Sequence, residues 1–387
     1  MGRVAVIDIG TVTCRLGVAD VAGGRVERCA KTSTICNLGE GVAETGRLSE
    51  AACARVLACV DQALAQARAA GVPIACCTLT SAARDAENSA VLLDGLRARG
   101  VVPEVIPGEV EGSLTFLGVA QDFRGQRIMV ADNGGGSTEI AVGTLAADGG
   151  DGAADGGDNA DGGMTPADAG AAADDAAPAT SANARPVGGV AAGSASDHPA
   201  APATSANALT LEAVRSLNVG CRRVTDLFLS REDPPSAASL DEARKFCRNA
   251  FEEGLPAAAR GAAEPSRLVC VGGTVTTLVA ISAELNPYDP AFVHLHELSL
   301  AEVDALAERL ASLPLERRRE VVGLQPKRAG VIVAGAVCVG ELMRACGVGA
   351  LTVSESDLLF GLSLVADATA QGRPSPIGWH PELFALR

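Results

Sequence analysis

Short apolar runs alternate along this chain with segments whose apolar residues recur at helical spacing. Val4-Ala5-Val6-Ile7 is near-continuous, and the pattern predicts a strand over 3–9 buried on both faces. Asp8-Ile9-Gly10-Thr11 ends it in a tight turn, and further strands are expected over 14–21 and 25–34. Val56, Leu57, Val60 and Leu64 share one face of a helix from Ser49 to about Ala70. A strand over 73–79 leads into a helix start at Thr80–Asn88, and a strand over 101–106 into a helix from Pro107 to about Ala120. Val130-Ala131-Asp132 reads as a strand end, Gly134-Gly135-Gly136 as a hairpin and 138–144 as its second strand. Farther on, 209–218 predicts a strand pairing with 138–144, followed by a helix over 219–229. Ser239–Glu242 and Ser299–Glu302 have the spacing of capping boxes that open helices. A buried strand over 267–271 precedes a second glycine turn, Gly272-Gly273, and a helix. An apolar helix over 328–346, a strand over 351–353, a helix capped by Ser354 and an irregular tail, 371–387, close the chain. Strands alternating with helices predict an α/β fold.

Between 146 and 207 this patterning stops. The segment is Ala, Gly, Asp, Pro, Ser and Thr, with Met164, Val187 and Val190 as its only larger apolar residues. Ala-Ala-Pro-Ala-Thr-Ser-Ala-Asn-Ala occurs at 176–184 and again at 200–208. So little apolar surface does not offset ordering entropy, and disorder is expected. The Asp-Gly-Gly-Asp pieces lack the regular large apolar position of calcium-binding repeats.

Composition narrows the class. The 387 residues are 48% hydrophobic and carry a formal charge of −15, which fits a globular chain of two domains. The insertion holds nine Asp and one Arg, so about half of that charge belongs to it. An acidic chain is a poor general binder of nucleic-acid phosphates, although a locally basic cleft still suits a polyanion. No apolar run approaches the roughly 18 residues of a membrane span, and the N-terminus does not read as a signal peptide. No DNA or membrane partner and a cytoplasmic location are therefore expected. The twelve cysteines form no zinc-like spacing and read as reduced core thiols. His294 and His296 have no third ligand nearby, and Arg317–Arg319 read as solvated.

Candidate chemistry gathers at two glycine turns. Around Gly134–Gly136, bare N–H groups can meet an anion, with backbone freedom at φ > 0. Asp132 and Glu139 flank the turn, where a hard cation could sit. A plain glycine hairpin with solvated acids fits the same residues. Around Gly10, Thr11 and Thr13 offer hydroxyls and Arg15 a fixed charge. Arg84 lies at a helix start, a natural anion site, or else in a surface ion pair. Glu111 in a first helical turn reads, on its own, as an acid placed there by the helix dipole. Two turns of this kind, each after an Asp-terminated buried strand, imply an internal duplication.

In order and spacing, Asp8-Ile9-Gly10-Thr11, Thr80–Asn88, Gly108-Glu109-Val110-Glu111-Gly112, Gly134–Glu139, Ser216–Gly220, Gly272–Thr276, Arg328–Ala336 and Val353-Ser354 resemble the exopolyphosphatase / guanosine pentaphosphate phosphohydrolase family, in a short form. The resemblance implies two ribonuclease H-like domains of the actin, sugar kinase and heat-shock ATPase superfamily with an interdomain cleft. They would cover 1–122 and 123–353, the last helix, 354–370, returning to the first. It also implies hydrolysis of the terminal phosphate of polyphosphate or of pppGpp with magnesium or another divalent cation. By motif position, Glu111 matches the general base, and Asp132, Glu139 and Asp8 match metal-associated acids. Gly10, Thr11, Thr13, Arg15, Arg84, Gly134, Gly135, Gly136, Ser137 and Thr138 match phosphate-holding groups. A homodimer is compatible with the resemblance.

Three departures stand out. Val12-Thr13 replaces an Asn-Ser pair, Val110 the first of two adjacent glutamates, and Asn133 an apolar residue. A non-catalytic sensor of guanosine polyphosphate or polyphosphate is the alternative that these departures keep open. An ATP-dependent kinase or actin-like protein is the third reading, disfavoured because Glu111 suits activation of water.

Overall fold

A computed structural model of the chain describes residues 2–147, 209–260 and 267–386. Two six-stranded mixed sheets organise them. The first holds β1 (Gly2–Ile9), β2 (Thr13–Ala22), β3 (Arg25–Ile35), β4 (Ile74–Leu79) and β5 (Pro103–Val105). The second holds β6 (Arg127–Asn133), β7 (Thr138–Leu145), β8 (Leu209–Leu217), β9 (Leu268–Val271), β10 (Glu297–Ser299) and β11 (Ala350–Val353). β12 (Phe384–Ala385) returns to the first sheet and pairs antiparallel with β4.

The duplication expected from the two turns is present in the topology. The strand order β5-β4-β1-β2-β3 in one sheet matches β11-β9-β6-β7-β8 in the other. In both, the central hairpin is antiparallel, and its first strand also pairs parallel with the strand that follows a connecting segment. The last six residues of β1 and of β6 are buried, which is why both read as continuous apolar runs.

Three apolar cores follow from this arrangement. One lies between the first sheet and helix α1 (Glu50–Ala69), where Val56, Val60 and Leu64 are buried as their spacing predicts. Another lies on the outer face of the second sheet. The third sits between the sheets and contains Val4 and Val6 of β1 with Val130 and Val269 of the second sheet. Two helices fill it, Gly108–Val119 and Leu358–Ala370, the first packed on β7 and β8 and the second on β1 and β2. Both sheets belong to one compact unit.

Several local expectations change. The helix expected from Ser239 starts earlier, at Ala237, because Ser236 caps it and accepts from the Ser239 N–H. The capping box at Ser299–Glu302 is present, with both reciprocal bonds made. Ser354 does not cap the last helix; Asp357 does, accepting from the Leu359 N–H. The tail is not wholly irregular, since β12 forms at a sheet edge and Trp379 Nε1 donates to Glu104 Oε1 at 3.1 Å. No disulfide joins any of the twelve cysteines, and eleven of them are buried. Among the described residues no helix is long and apolar enough to cross a membrane. The Ala/Gly/Asp-rich segment lies, but for residues 146 and 147, outside the described residues.

Candidate active site

Each glycine turn closes on itself in the same way. Gly10 N–H donates to Thr13 O at 2.8 Å, and Gly134 N–H donates to Ser137 O at 3.0 Å. Register places Asp8 opposite Arg15 in one hairpin and Asp132 opposite Glu139 in the other. Asp8 and Asp132 therefore occupy equivalent strand ends, and both are buried.

The two turns face one another around a cavity. Its lining contains Asp8, Gly10, Thr11, Thr13, Arg15 and Glu111 from the first half, and Asp132 with Gly134, Gly135, Gly136 and Ser137 from the second. The glycines serve close approach, not the left-handed backbone: none of Gly134–Gly136 has a left-handed φ. A Cβ on Gly135 would lie 2.7 Å from Val12 and 2.8 Å from Thr11, and one on Gly136 would collide with Ser81 Oγ. The lack of side chains there lets the second turn lie directly on the first.

Glu111 is placed by Arg84. Burial on the Gly108–Val119 helix separates it from Glu109, which is exposed at the same helix start. Arg84 ends a short helix, Ser81–Asp85, and its Nη1 donates to Glu111 Oε2 and to Ile106 O, both at 2.8 Å. Its Nη2 lies 3.8 Å from Glu139 Oε1, which also accepts from Ser216 Oγ at 2.7 Å. Two buried carboxylates thus share one guanidinium. Burial first, then the charge of Glu139, pushes the Glu111 carboxyl well above its usual range, and Arg84 opposes this. Burial and the charge of Asp132 push Glu139 up to about 7. Burial raises Asp132 to about 6, against the pull of Arg15.

Arg84 and Glu139 stand behind the cavity lining, and so does Thr138. Thr138 is fully buried; its hydroxyl donates to Val219 O at 2.6 Å and accepts from Asn133 Nδ2 at 2.9 Å. Its side chain braces the turn, so the hydroxyl expected on phosphate is already committed within the protein. Arg15 lines the cavity but is held by two acids. Its Nε and Nη2 donate to Asp8 Oδ2 at 3.0 and 2.7 Å, and its Nη1 donates to Asp357 Oδ2 at 3.0 Å.

The departures acquire physical reasons. Val12 packs with Ile35, Cys221 and Val331, an apolar contact joining the two turns' surroundings. Asn133 orients Thr138 through its amide. Val110 packs at the edge of the core between the sheets.

Residues to which the sequence reading gave no role also line the cavity: Thr80, Ser81, Cys221, Gly273, Thr274 and Arg328. A Cβ on Gly273 would collide with the Arg328 guanidinium, so that glycine makes room for a cation. Burial lowers the Arg328 pKa, and the neighbouring Arg15 charge lowers it further. The available signal was the glycine turn after β9, at the start of the helix Gly273–Ser282. A strand-to-helix glycine turn offers N–H groups to anions. Outside the lining, Arg223 Nε donates to Gly136 O at 2.8 Å and its Nη2 pairs with Asp85.

Similarity to known proteins agrees with this geometry. The Ppx/GppA phosphatase family matches residues 17–147 and 205–363. Exopolyphosphatase 2 of Mycobacterium tuberculosis is 30% identical over 382 residues, covering 94% of this chain and 98% of that protein. An exopolyphosphatase-like protein of known structure superposes with a TM-score of 0.70 at 27% identity, over 94% of this chain and 97% of the other. The Ppx/GppA family member of Aquifex aeolicus superposes with a TM-score of 0.65 at 23% identity, covering 96% and 98%, which supports the fold. With its duplicated α/β architecture of the actin-like type, the chain belongs to the Ppx/GppA phosphatase family.

Proposed function

We propose that this chain hydrolyses the terminal phosphoanhydride of inorganic polyphosphate or of pppGpp, with Glu111 as the general base. The observation that carries this reading is one buried carboxylate, Glu111, on the cavity wall between two glycine turns, fixed by Arg84 at 2.8 Å. The similarity to a mycobacterial exopolyphosphatase supports a polyphosphate substrate. Phosphoryl transfer to water asks little covalent chemistry of a protein; it needs positioning, charge neutralisation and a base.

Glu111 takes the proton of the attacking water as its oxygen bonds to the terminal phosphorus. The bridging P–O bond breaks, and the shortened chain leaves with the electron pair. The N–H groups of Gly10 and Gly134 close their own turns, and the remaining N–H groups of the two turns hold the phosphate oxygens from opposite sides. Ser81, Thr274 and Arg328 add hydroxyls and a cation to the same lining. Arg84 orients Glu111, and Glu139 with Ser216 fixes Arg84 from behind.

A divalent cation fits the donors on the lining. Asp8 Oδ1 is buried with no hydrogen-bond partner, and Asp132 is a second buried carboxylate there. Among the described residues no three His, Cys, Asp or Glu side chains come together as a complete cage. Magnesium characteristically takes one or two carboxylates and completes its shell with water and substrate phosphates. Asp8 and Asp132 would hold it, and it would neutralise developing charge on the phosphate oxygens.

The test is phosphate release by purified protein with magnesium, on long polyphosphate, short polyphosphate and pppGpp side by side. Release that disappears in Glu111→Gln supports the hydrolase. Tight binding without release would instead favour the sensor.

A further inference from the structure

We propose that Asp357 is a positioning residue of this site, holding Arg15 so that Asp8 presents one free oxygen to the cavity. The inference rests on the hydrolase reading above. Asp357 is 342 residues from Arg15 in sequence, yet the two side chains meet. It uses its two oxygens for different tasks. Oδ1 accepts from the Leu359 N–H at 2.9 Å, capping the last helix, while Oδ2 accepts from Arg15 Nη1 at 3.0 Å. Any N-cap would need only the first of these bonds.

The consequence runs through Arg15. Both of its bonds to Asp8 fall on Oδ2, and Asp8 Oδ1 is left buried and without a partner. A carboxylate with one oxygen fully bound and the other open is fixed in rotation. Arg15 needs a second anchor to hold that geometry, because its flexible side chain would otherwise turn toward incoming phosphate oxygens. Asp357 is that anchor. Lys31 Nζ also approaches Asp357 Oδ2, at 3.8 Å, but it bonds Glu355 Oε2 at 2.8 Å and keeps its own partner. Asp8 and Arg15 are cross-strand neighbours in β1 and β2. The anchor therefore ties the first glycine turn to the helix filling the space between the sheets.

The test separates capping from positioning. Asp357→Asn and Asp357→Ser both keep an oxygen for the Leu359 N–H and lose the charge facing Arg15. Positioning predicts that kcat falls by about tenfold to a hundredfold, the usual effect of removing a partner of a ligand. KM and melting temperature should change little. Affinity for Mn2+, measured by calorimetry without substrate, should weaken by a similar factor, and Asp357→Glu should restore part of both. Unchanged kcat and Mn2+ affinity in either variant overturns the proposal, as does a wild-type chain that binds no Mn2+. If Asp357→Asn does not fold, Asp357→Ser carries the test. A wild-type chain that releases no phosphate refutes the hydrolase reading alone; the Mn2+ titrations then still decide the role of Asp357.

Discussion

Glu111→Gln separates chemistry from stability in one substitution. The glutamine keeps an acceptor for Arg84 Nη1, which lies 2.8 Å from Glu111 Oε2, and it occupies nearly the same volume. What disappears is the ability to take a proton. A positioned general base contributes about 10²–10⁴-fold, so the barrier should rise by about 3–5.5 kcal/mol at 1.36 kcal/mol per decade. Stability should move the other way. Burial and Glu139 raise the folded-state pKa of Glu111 above its ordinary value. The folded state therefore binds the proton more tightly than the unfolded chain does. That stability is fully present below the ordinary carboxylate pKa and is lost as pH rises through the folded value. Above it, an ionised Glu111 weakens the fold, and a neutral glutamine removes that cost. The assay is initial-rate phosphate release with thermal melts at pH 6 and pH 8. The expected result is a collapse of kcat with a melting temperature no lower than wild type at pH 8. A kcat within tenfold of wild type, with its pH dependence intact, would refute Glu111 as the base.

Four further outcomes follow from the same geometry. kcat/KM should fall as pH drops below about 7, because Glu139, at about 7, and Glu111, above its ordinary range, must both be ionised; a rate profile measured from pH 5 to 9 checks this. Arg328→Ala should raise KM more than it lowers kcat, because it removes a cavity cation held against Gly273 rather than the base; steady-state kinetics on polyphosphate tests it. Phe116→Ala should cost about 3–5 kcal/mol, since that ring is fully buried between the sheets on the helix bearing Glu111; denaturant unfolding measures the loss. Replacing residues 146–207 by a short turn should leave activity within a few-fold, because β7 and β8 are paired out to Leu145 and Leu209; loss of soluble expression or of activity would contradict it.

The chain itself determined more of this protein than local patterning usually does. The buried strands β1, β6 and β9 showed as apolar runs, and each of the two hairpin glycine turns sat after an Asp at a strand end. Those signals are local, and a strand buried on both faces has little choice but to read that way. Repetition of one unit was legible because the two hairpins carry the same spacing between Asp and the closing turn.

Tertiary structure decided the rest, because the deciding partners are distant in sequence. Glu109 and Glu111 look alike in a first helical turn; only packing buries one and exposes the other. Thr138 looked like a phosphate ligand until the Val219 carbonyl, 81 residues away, took its hydroxyl. Asp357 showed no motif at all, and its meaning depends on Arg15, which the folded sheet brings beside it. Burial in a low-dielectric cleft makes such pairings energetically consequential. No periodicity along the chain encodes which charged groups will meet there.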